Sequence, residues 1–463
     1  MNSAKAALDL IPFFAEMIKR IFEAIAGLGT THDARSLEAC VMEQCKALGA
    51  VILELGLKLR AQSRPVPISR PCACGHVKHH KGKRAREIRS TLGPLNLEER
   101  HYYHCDRCRA GEYWGEELRG SSDFSKLAED QIAWMGKEGA FEQAAKNLKH
   151  LGLFEVAAST VRDICNRLGK VVRDRTEHQA AQQYCGGVAT EEKVSRLGIS
   201  IDGVMLGRID PQHRKRKSEK KGKVRGKKAL EHFYHEVKTL VVFEFNKAGE
   251  ALRKTYHATQ DRIEGFREMV SLEAQKRGVQ AADVLVFVGD GAAWVWKTAQ
   301  TLFPEATQIL DWYHAMEHIW AVGRAKFGNK EKELWAWVAK RETELYQGKV
   351  QAVIDAIRLV SEELGRPDET LSEQARALDP RWIVHRNVGY FEENRERMNY
   401  PAYRAQGLPI GSGVVESACK HVVASRCKRA GMRWDESGAE NILALRCLAL
   451  NDRWDTAWQK VAA

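Results

Sequence analysis

The sequence has no run of about 18 apolar residues, the length that a helix needs to cross a membrane. Its opening stretch, MNSAKAALDLIPFFAEMIKRIF, is interrupted by Glu16, Lys19 and Arg20, so we expect no signal peptide. Acidic residues are in the minority, because 61 Asp and Glu stand against 73 Lys and Arg and leave a net charge of +12. This excess favours an anionic partner such as nucleic acid, and the alternative is a solvated basic surface.

Cysteine is scarce, with 11 residues scattered over 463. Such scatter indicates a reducing compartment, and clustered pairs are interpreted as metal ligands before disulfides. The chain is too long for one ordinary core, so we expect about two to four domains. Composition and periodicity predict six segments: a helical region 1–62, a zinc-ribbon-like module 63–118, a helical region 119–190, an α/β core 191–314, a helical insertion 315–407 and the second part of the core 408–463.

Apolar residues at helical spacing predict two helices, at 8–27 and 34–62. The segment SRPVPISRP then predicts a linker at 63–71, because prolines disfavour regular structure there. Nothing in this region distinguishes a recognition or dimerisation role from a packing unit.

Two cysteine pairs follow, Cys72-Ala-Cys74 and Cys105-Asp-Arg-Cys108. Between them, REIRSTLGPLNLEERHYYHC contains two alternating strand-like runs around the turn LGPL. Four thiolates around Zn²⁺ would supply folding energy that so small a module cannot obtain from its core. One alternative is unliganded, reduced cysteines. Another is the replacement of one ligand by a neighbouring histidine, namely His76, His79, His80, His101 or His104.

Residues 126–178 show a helical pattern in which KEGAFEQAAKNLKHLGL precedes FEVAASTVRDICNRLGKVV. Ser159 is suited to cap the second helix, with Asp163 in its first turn. A helix, a short turn and a helix exposing Thr160, Arg162, Arg167 and Lys170 are typical of a helix-turn-helix. Many helix pairs share this pattern, so both DNA reading and plain packing remain open.

From residue 197 the period changes to that of strands. Five strand-like runs alternate with helical ones in the order β-β-β-α-β-α-β: LGISIDGVML, EHFYHEVKTLVVFEF, ALRKTYHAT, DVLVFVGDGA and TQILDWYH. Three meandering strands followed by strands with intervening helices predict an α/β, RNase H-like core. In such a sheet the first and fourth strands are neighbours.

That strand order brings acids together. Asp202 lies on the first strand and Asp290 ends the fourth, while Glu416 begins a helix after the segment GSG. We expect the glycines of GSG to let the backbone turn sharply into this helix. Three carboxylates can hold two divalent cations about 3.5–4 Å apart for phosphodiester chemistry, and oxygen ligands favour Mg²⁺ or Mn²⁺. The alternative is ordinary capping: Asp202 and Asp290 at strand ends and Glu416 at a helix N-terminus.

Three blocks resemble the DDE transposases of bacterial ISKra-type insertion sequences, which are distantly Mutator-like. They are CACG with TLGPLNLEERHYYHCDRC, then VGDGAAWVWKTAQTLFPEATQILDWYHAMEHIW, then YPAYRAQGLPIGSGVVESACKHVVASRCKRAGMRW. The resemblance covers roughly four-fifths of the chain and implies catalytic acids at Asp202, Asp290 and Glu416. It makes Asp311 and His314 of DWYH accessory, although Asp311 also ends a strand and is the rival second ligand.

The resemblance further implies a cytoplasmic, nucleoid-associated protein that acts on double-stranded DNA as a dimer or higher oligomer. The block NVGYFEENRERMNYPAYRAQG, with its arginines, asparagines and tyrosines, fits either DNA contact or a polar helix face. The basic run 213–228 fits phosphate contact or a solvated loop. The predicted DNA contacts are Arg214, Lys215, Arg216, Arg397, Arg404, Lys420, Arg426, Lys428 and Arg429.

Three functions compete on this sequence. The first is an insertion-sequence transposase that binds terminal inverted repeats and performs metal-dependent cleavage and strand transfer. The second is a nuclease of the same fold without strand transfer. The third is a domesticated DNA-binding protein without catalysis. Intact acids at all three triad positions favour the first two functions over the third.

Overall fold

The order of helices and strands in the structure largely follows the helical and strand-like patterns of the sequence. A computed structural model describes residues 11–27, 33–62, 65–114, 123–183, 194–209 and 234–457. The chain divides into two compact units, Met1–Ile164 and Cys165–Val461. The basic run 213–228, with the predicted contacts Arg214, Lys215 and Arg216, lies outside the described residues.

The first unit begins with helices α1 (Ile11–Gly27) and α2 (Ala34–Gln62), which confirms both predicted helices. An antiparallel sheet follows, in the order β1 (Ser69–Pro71), β2 (Val77–Ser90), β3 (Gly93–His104) and β4 (Gly111–Tyr113). Leucines of α2 pack onto the β2–β3 hairpin, where Ile88 and Leu95 are fully buried.

Two details of this sheet differ from the sequence prediction. The end of the expected linker forms the edge strand β1 and pairs with β2. Pro71 is tolerated there, because a missing N–H at a sheet edge costs no ladder hydrogen bond. The hairpin turn is Thr91–Leu92 and not LGPL, since Ser90 pairs with Gly93 and Pro94 already lies in β3.

Three helices complete this part of the chain: α3 (Lys126–Glu138), α4 (Phe141–His150) and α5 (Ala158–Gln183). Ser125 caps α3, because its hydroxyl accepts the Ala128 N–H at 3.2 Å. Ser159 does not cap α5, as the helix already includes Ala158. The boundary between the two units falls within α5.

The second unit is built on a mixed five-stranded sheet. Its strands are β5 (Arg196–Gly207), β6 (Tyr234–Phe245), β7 (Ala251–Thr259), β8 (Val284–Gly289) and β9 (Thr307–Leu310), in the spatial order β7-β6-β5-β8-β9. The first three strands pair antiparallel, whereas β8 runs parallel to both β5 and β9. The predicted pairing of the first strand with the fourth is confirmed.

In each parallel pair, the later strand in the sequence directly follows a helical connection. The helix α6 (Ile263–Lys276) joins β7 to β8, and α7 (Ala293–Leu302) joins β8 to β9. Parallel strands need such crossovers, and central strands covered on both faces consist of continuous apolar runs. Residues 197–201 of β5 are buried without interruption, as that rule requires.

A long helical segment then leaves the sheet, as predicted. It comprises α8 (Trp312–Phe327), α9 (Glu331–Tyr346), α10 (Val350–Leu364), α11 (Glu373–Arg376), α12 (Pro380–Glu393) and α13 (Tyr400–Ala405). The chain returns beside β9, where the Trp312 N–H donates to Ile410 O at 2.9 Å.

The last segment brings the third predicted acid back to the sheet. It contains α14 (Gly413–Ala418), a π-helical turn (Cys419–Ala424), α15 (Ser425–Cys427) and α16 (Glu436–Leu450). The helix α14 packs against β5 and β6, and α16 packs against β7. The helix α14 therefore lies next to the strand that carries Asp202.

Candidate functional site

Four cysteines come together in the first unit. Cys72 Sγ lies 3.4 Å from the sulfurs of both Cys74 and Cys108, and Cys74 Sγ lies 3.6 Å from that of Cys105. All four sulfurs lie within 4.8 Å of one another. Zinc–sulfur bonds of about 2.3 Å imply sulfur–sulfur edges of about 3.8 Å, so a tetrahedral zinc ion matches this cluster.

The backbone around each pair forms a tight turn that directs amides at sulfur. Gly75 and Arg109, each one residue beyond the second cysteine of a pair, have φ of 80° and 59°. The N–H of Cys108, and then that of Arg107, lower the pKa of the Cys105 thiol to about 6. A thiol that ionises this easily is suited to bind a metal cation.

Histidine is not needed to complete this ligand set. His80 and His101 contact each other at 3.0 Å, and His104 contacts Asp106 at 3.4 Å. His76 approaches the cluster, with Nδ1 3.6 Å from Cys74 Sγ. The four-cysteine interpretation therefore accounts for the arrangement best.

The acidic site lies in the second unit, where the strand β8 ends beside the central strand β5. Asp202 lies on β5, and Asp290 follows the last residue of the adjacent parallel strand β8. Burial raises the pKa of Asp202, and the negative charge of Asp290 raises it further. Asp202 Oδ1 accepts the Gly203 N–H at 2.6 Å, and Cys419 Sγ lies 3.4 Å from Oδ2.

Asp290 is held in a turn between β8 and α7. Its Oδ1 accepts the Ala292 N–H at 2.9 Å, and its main-chain oxygen accepts the Tyr390 hydroxyl at 2.8 Å. Gly291 has φ of 103°, a conformation in which a side chain would be strained. The turn therefore has a fixed shape.

Glu416 approaches from the first turn of α14 with its side chain 49% exposed. Its Oε1 lies 3.4 Å from Ser412 Oγ and 3.9 Å from His314 Nδ1. Glu416, His314 and Asp311 offer ligand atoms within 4.8 Å of one another. The predicted accessory pair therefore directly adjoins the predicted third ligand.

Asp311 is fully buried and heavily hydrogen-bonded. Its Oδ1 accepts the His314 N–H at 2.6 Å and contacts His314 Nδ1 at 3.1 Å, while its Oδ2 accepts the Ser412 N–H. Burial opposes ionisation, but these hydrogen bonds outweigh it and lower the pKa of Asp311. Asp311 thus caps α8 and ties it to the segment that precedes α14.

His314 is a positively charged side chain among acidic neighbours. The hydrogen bond to Asp311 is the main cause that raises the pKa of His314 to about 9. The imidazolium therefore predominates at neutral pH, with Asp290 and Glu416 as further acidic neighbours.

The predicted triad is more open than the Asp311–His314–Glu416 group. Asp202, Asp290 and Glu416 do not all lie within 4.8 Å of one another. Burial raises the pKa of Asp202 most, the negative charge of Asp290 adds to this effect, and the positive charge of His314 opposes it. A divalent cation would favour the ionised form of Asp202.

The segment GSG acts differently from the sequence prediction, in which glycine permits a sharp turn. Neither Gly411 nor Gly413 has a positive φ. Gly411 instead allows close packing, because a Cβ there would lie 3.1 Å from the Tyr313 ring. Small size, not backbone freedom, is what Gly411 contributes.

Lys420 follows Glu416 by four residues, and it falls in the π-helical turn that begins at Cys419. Lys420 remains exposed, as do Lys428 and Arg429. These three residues remain predicted DNA contacts.

Three other predicted contacts are engaged inside the protein. Arg426 is fully buried, with its guanidinium 4.9 Å from the Trp434 ring centre, so its prediction as a DNA contact is wrong. Arg397 lies over Trp296 and donates to Gln308 at 3.0 Å. Arg404 lies 3.4 Å from the Tyr346 ring centre. The sequence pattern could not reveal these partners, which lie 8 to 101 residues away.

Arg426 and Lys428 form a matched pair for testing this difference. Arg426→Ala is expected to lower the free energy of unfolding by about 3 kcal/mol, because it leaves a cavity beside Trp434. Lys428→Ala should change it by less than about 0.5 kcal/mol, since the side chain is exposed. Urea unfolding measures both effects, and equal losses would contradict the assignment.

No sequence motif singles out Cys419, yet its thiol contacts Asp202. Burial raises the pKa of Cys419 to about 12, so the neutral thiol donates to the carboxylate. Its spacing of three residues from Glu416 is a signal that could have indicated a shared helix face. No comparable spacing in the sequence indicated the contact of Tyr390 with Asp290.

Every helix in the described part of the chain is too short or too polar to traverse a lipid bilayer. Neither a protein-family model nor a curated protein matches this sequence. The function is therefore inferred from the two sites themselves.

Proposed function

We propose that the protein is an insertion-sequence DNA transposase with an RNase H-like catalytic core. The observation that carries this proposal is the meeting of Asp202, Asp290 and the Glu416 region at one edge of the mixed sheet. These acids are 88 and 126 residues apart in sequence, so local structure does not explain their proximity. The parallel β5–β8 pair and the return of α14 create it.

The three acids are the proposed ligands of divalent cations. Carboxylate oxygens suit hard cations such as Mg²⁺ or Mn²⁺. Such cations, when bound, would activate the attacking hydroxyl group and stabilise the leaving oxygen of a phosphodiester. The environment of Asp202 supports this role, because burial, and to a lesser extent the charge of Asp290, disfavour its ionised form, a cost that a bound cation would offset.

Asp290 is a better second ligand than Asp311. Asp311 is buried, and both of its oxygens already accept main-chain N–H groups. In the proposal it orients His314 and the start of α14, and His314 holds a proton beside Glu416. The pair thus positions the Glu416 carboxylate.

DNA is the proposed substrate because of the charge of the chain and its exposed basic residues. Lys420 follows Glu416 closely, and Lys428 and Arg429 follow α15. The four-cysteine module adds Lys81, Lys83 and Arg84, all exposed on β2. Phosphate contacts by such residues would make affinity depend strongly on salt.

The test uses labelled duplexes that carry the ends of the protein's own genetic locus, incubated with Mg²⁺ or Mn²⁺. We expect nicking at the tips of inverted repeats, followed by joining to a target duplex. Nicking without joining would favour the nuclease. Tight binding without nicking in either metal would favour the non-catalytic DNA-binding protein.

A further inference from the structure

Tyr390 links the helical insertion to the turn that carries Asp290. The residue lies on α12, and its hydroxyl donates to the main-chain oxygen of Asp290 at 2.8 Å. The two residues are 100 positions apart in sequence. The same aspartate has its carboxylate fixed by the Ala292 N–H, so both ends of Asp290 are held.

The ring of Tyr390 fits closely against this turn. A Cβ atom on Gly291 would lie only 2.4 Å from Tyr390 Cε2, so no other residue fits there without movement. The His318 ring also stacks on Tyr390, with 3.7 Å between centres and 19° between planes. The ring is thus confined by these two neighbours.

A buried asparagine fixes the stacked histidine. His318 Nδ1 lies 2.6 Å from Asn387 Oδ1, and the Asn387 amide donates to Ile383 O at 2.7 Å. Asn387 is only 5% exposed. A continuous chain of contacts therefore runs from α12 through α8 to the acidic site.

Neighbouring residues attach the same part of the insertion to the sheet. Tyr400 donates to Leu310 O at 3.1 Å, and Tyr403 Oη lies 3.4 Å from Gln308 O. Both hydroxyls therefore contact main-chain oxygens of β9. The sequence left DNA contact and a polar helix face open for this block, but the hydroxyls of Tyr390, Tyr400 and Tyr403 instead contact main-chain oxygens within the protein.

We propose that Tyr390 is a positioning residue that sets the affinity of the acidic site for divalent cations by holding the Asp290 turn. The inference rests on the proposed function in one respect, namely that Asp290 is a metal ligand. Tyr390 does not touch the carboxylate. It acts through the main chain of Asp290, whose movement would carry the carboxylate with it.

Tyr390→Phe is the sharpest test, because it removes one hydroxyl and keeps the ring against Gly291 and His318. Mn²⁺ binding to the full chain is measured by electron paramagnetic resonance, with zinc present. We expect Mn²⁺ affinity to fall about tenfold, as is typical when a group supporting a ligand is lost. The melting temperature should change by only a few degrees.

Tyr403→Phe is the matched control. It removes the same kind of hydroxyl, near the main-chain oxygen of Gln308 and away from Asp290. We expect this variant to bind Mn²⁺ as the wild type does. Metal-free DNA binding should be unchanged in both variants, because neither hydroxyl is exposed to a phosphate in the proposed arrangement.

Three outcomes would overturn the positioning role of Tyr390. Unchanged Mn²⁺ affinity in Tyr390→Phe would overturn the positioning role while leaving the proposed function intact. Equal losses in both variants would also overturn it, because they would indicate general loosening. A wild-type protein that binds no Mn²⁺ beyond the level of Glu416→Gln would remove the proposed function and this inference together.

Discussion

Replacing Glu416 with glutamine is expected to lower metal-dependent DNA cleavage by about a thousandfold or more, equivalent to ~4 kcal/mol of transition-state stabilisation. The amide keeps the shape of the side chain but removes the negative charge that would hold a cation. Glu416 is exposed and lies in the first turn of a short helix, so the exchange should leave folding nearly intact. Single-turnover cleavage of a labelled inverted-repeat duplex measures the effect.

Glu333→Gln provides the control, because Glu333 is an exposed acid in the first turn of α9 within the insertion. Cleavage by this variant should match the wild type. Duplex binding without metal should persist in Glu416→Gln, since the change removes a negative charge near the DNA. Full cleavage activity in Glu416→Gln would refute its role as a metal ligand.

Removing zinc should unfold the four-cysteine module. We expect one zinc ion per chain, and its loss should withdraw about 10 kcal/mol or more from a module whose buried apolar residues are few. Cys105→Ser should have the same effect, because it removes one of the four clustered sulfurs at a fully buried position. Elemental analysis and protease sensitivity between residues 65 and 114 measure the two consequences.

Cys45→Ser is the matched control, since Cys45 is an exposed cysteine of α2 outside the cluster. It should retain zinc and protease resistance. A chain purified with less than about half an equivalent of zinc, and insensitive to a chelator, would contradict the zinc site.

The central strands of the second unit were predictable because burial on both faces leaves a continuous apolar run, whereas the edge strand β7 is only partly buried. The run ALRKTYHAT corresponds to β7 residue for residue, and the apolar stretch before Asp290 forms β8. Once the strand types were known, chain order placed the first strand beside the fourth. The neighbourhood of Asp202 and Asp290 followed from that pairing.

Side chains that reach across the fold were not predictable. Arg426 lies in a basic run and gives no local sign that it points at Trp434 and not at solvent. Arg397 and Tyr390 are similar cases, because arginine and tyrosine are equally suited to phosphate and to main-chain oxygen. Only the docking of the insertion on the sheet decides between these partners.

The π-helical turn after α14 could not be predicted from the sequence for a different reason. An i, i+4 spacing assumes an unbroken α-helix, and one wider turn changes the direction of every later side chain. Cys419 begins this turn, and its thiol contacts Asp202. Such turns recur at functional sites, which agrees with its position here.

Asp202, Asp290 and Glu416 are the proposed ligands of divalent cations, and X-ray diffraction from crystals soaked in Mn²⁺ would locate such ions. We expect two anomalous-difference peaks about 3.5–4 Å apart, contacted by oxygens of these three acids. A single peak bound only by Asp311, His314 and Glu416, or no peak at this edge of the sheet, would contradict this assignment.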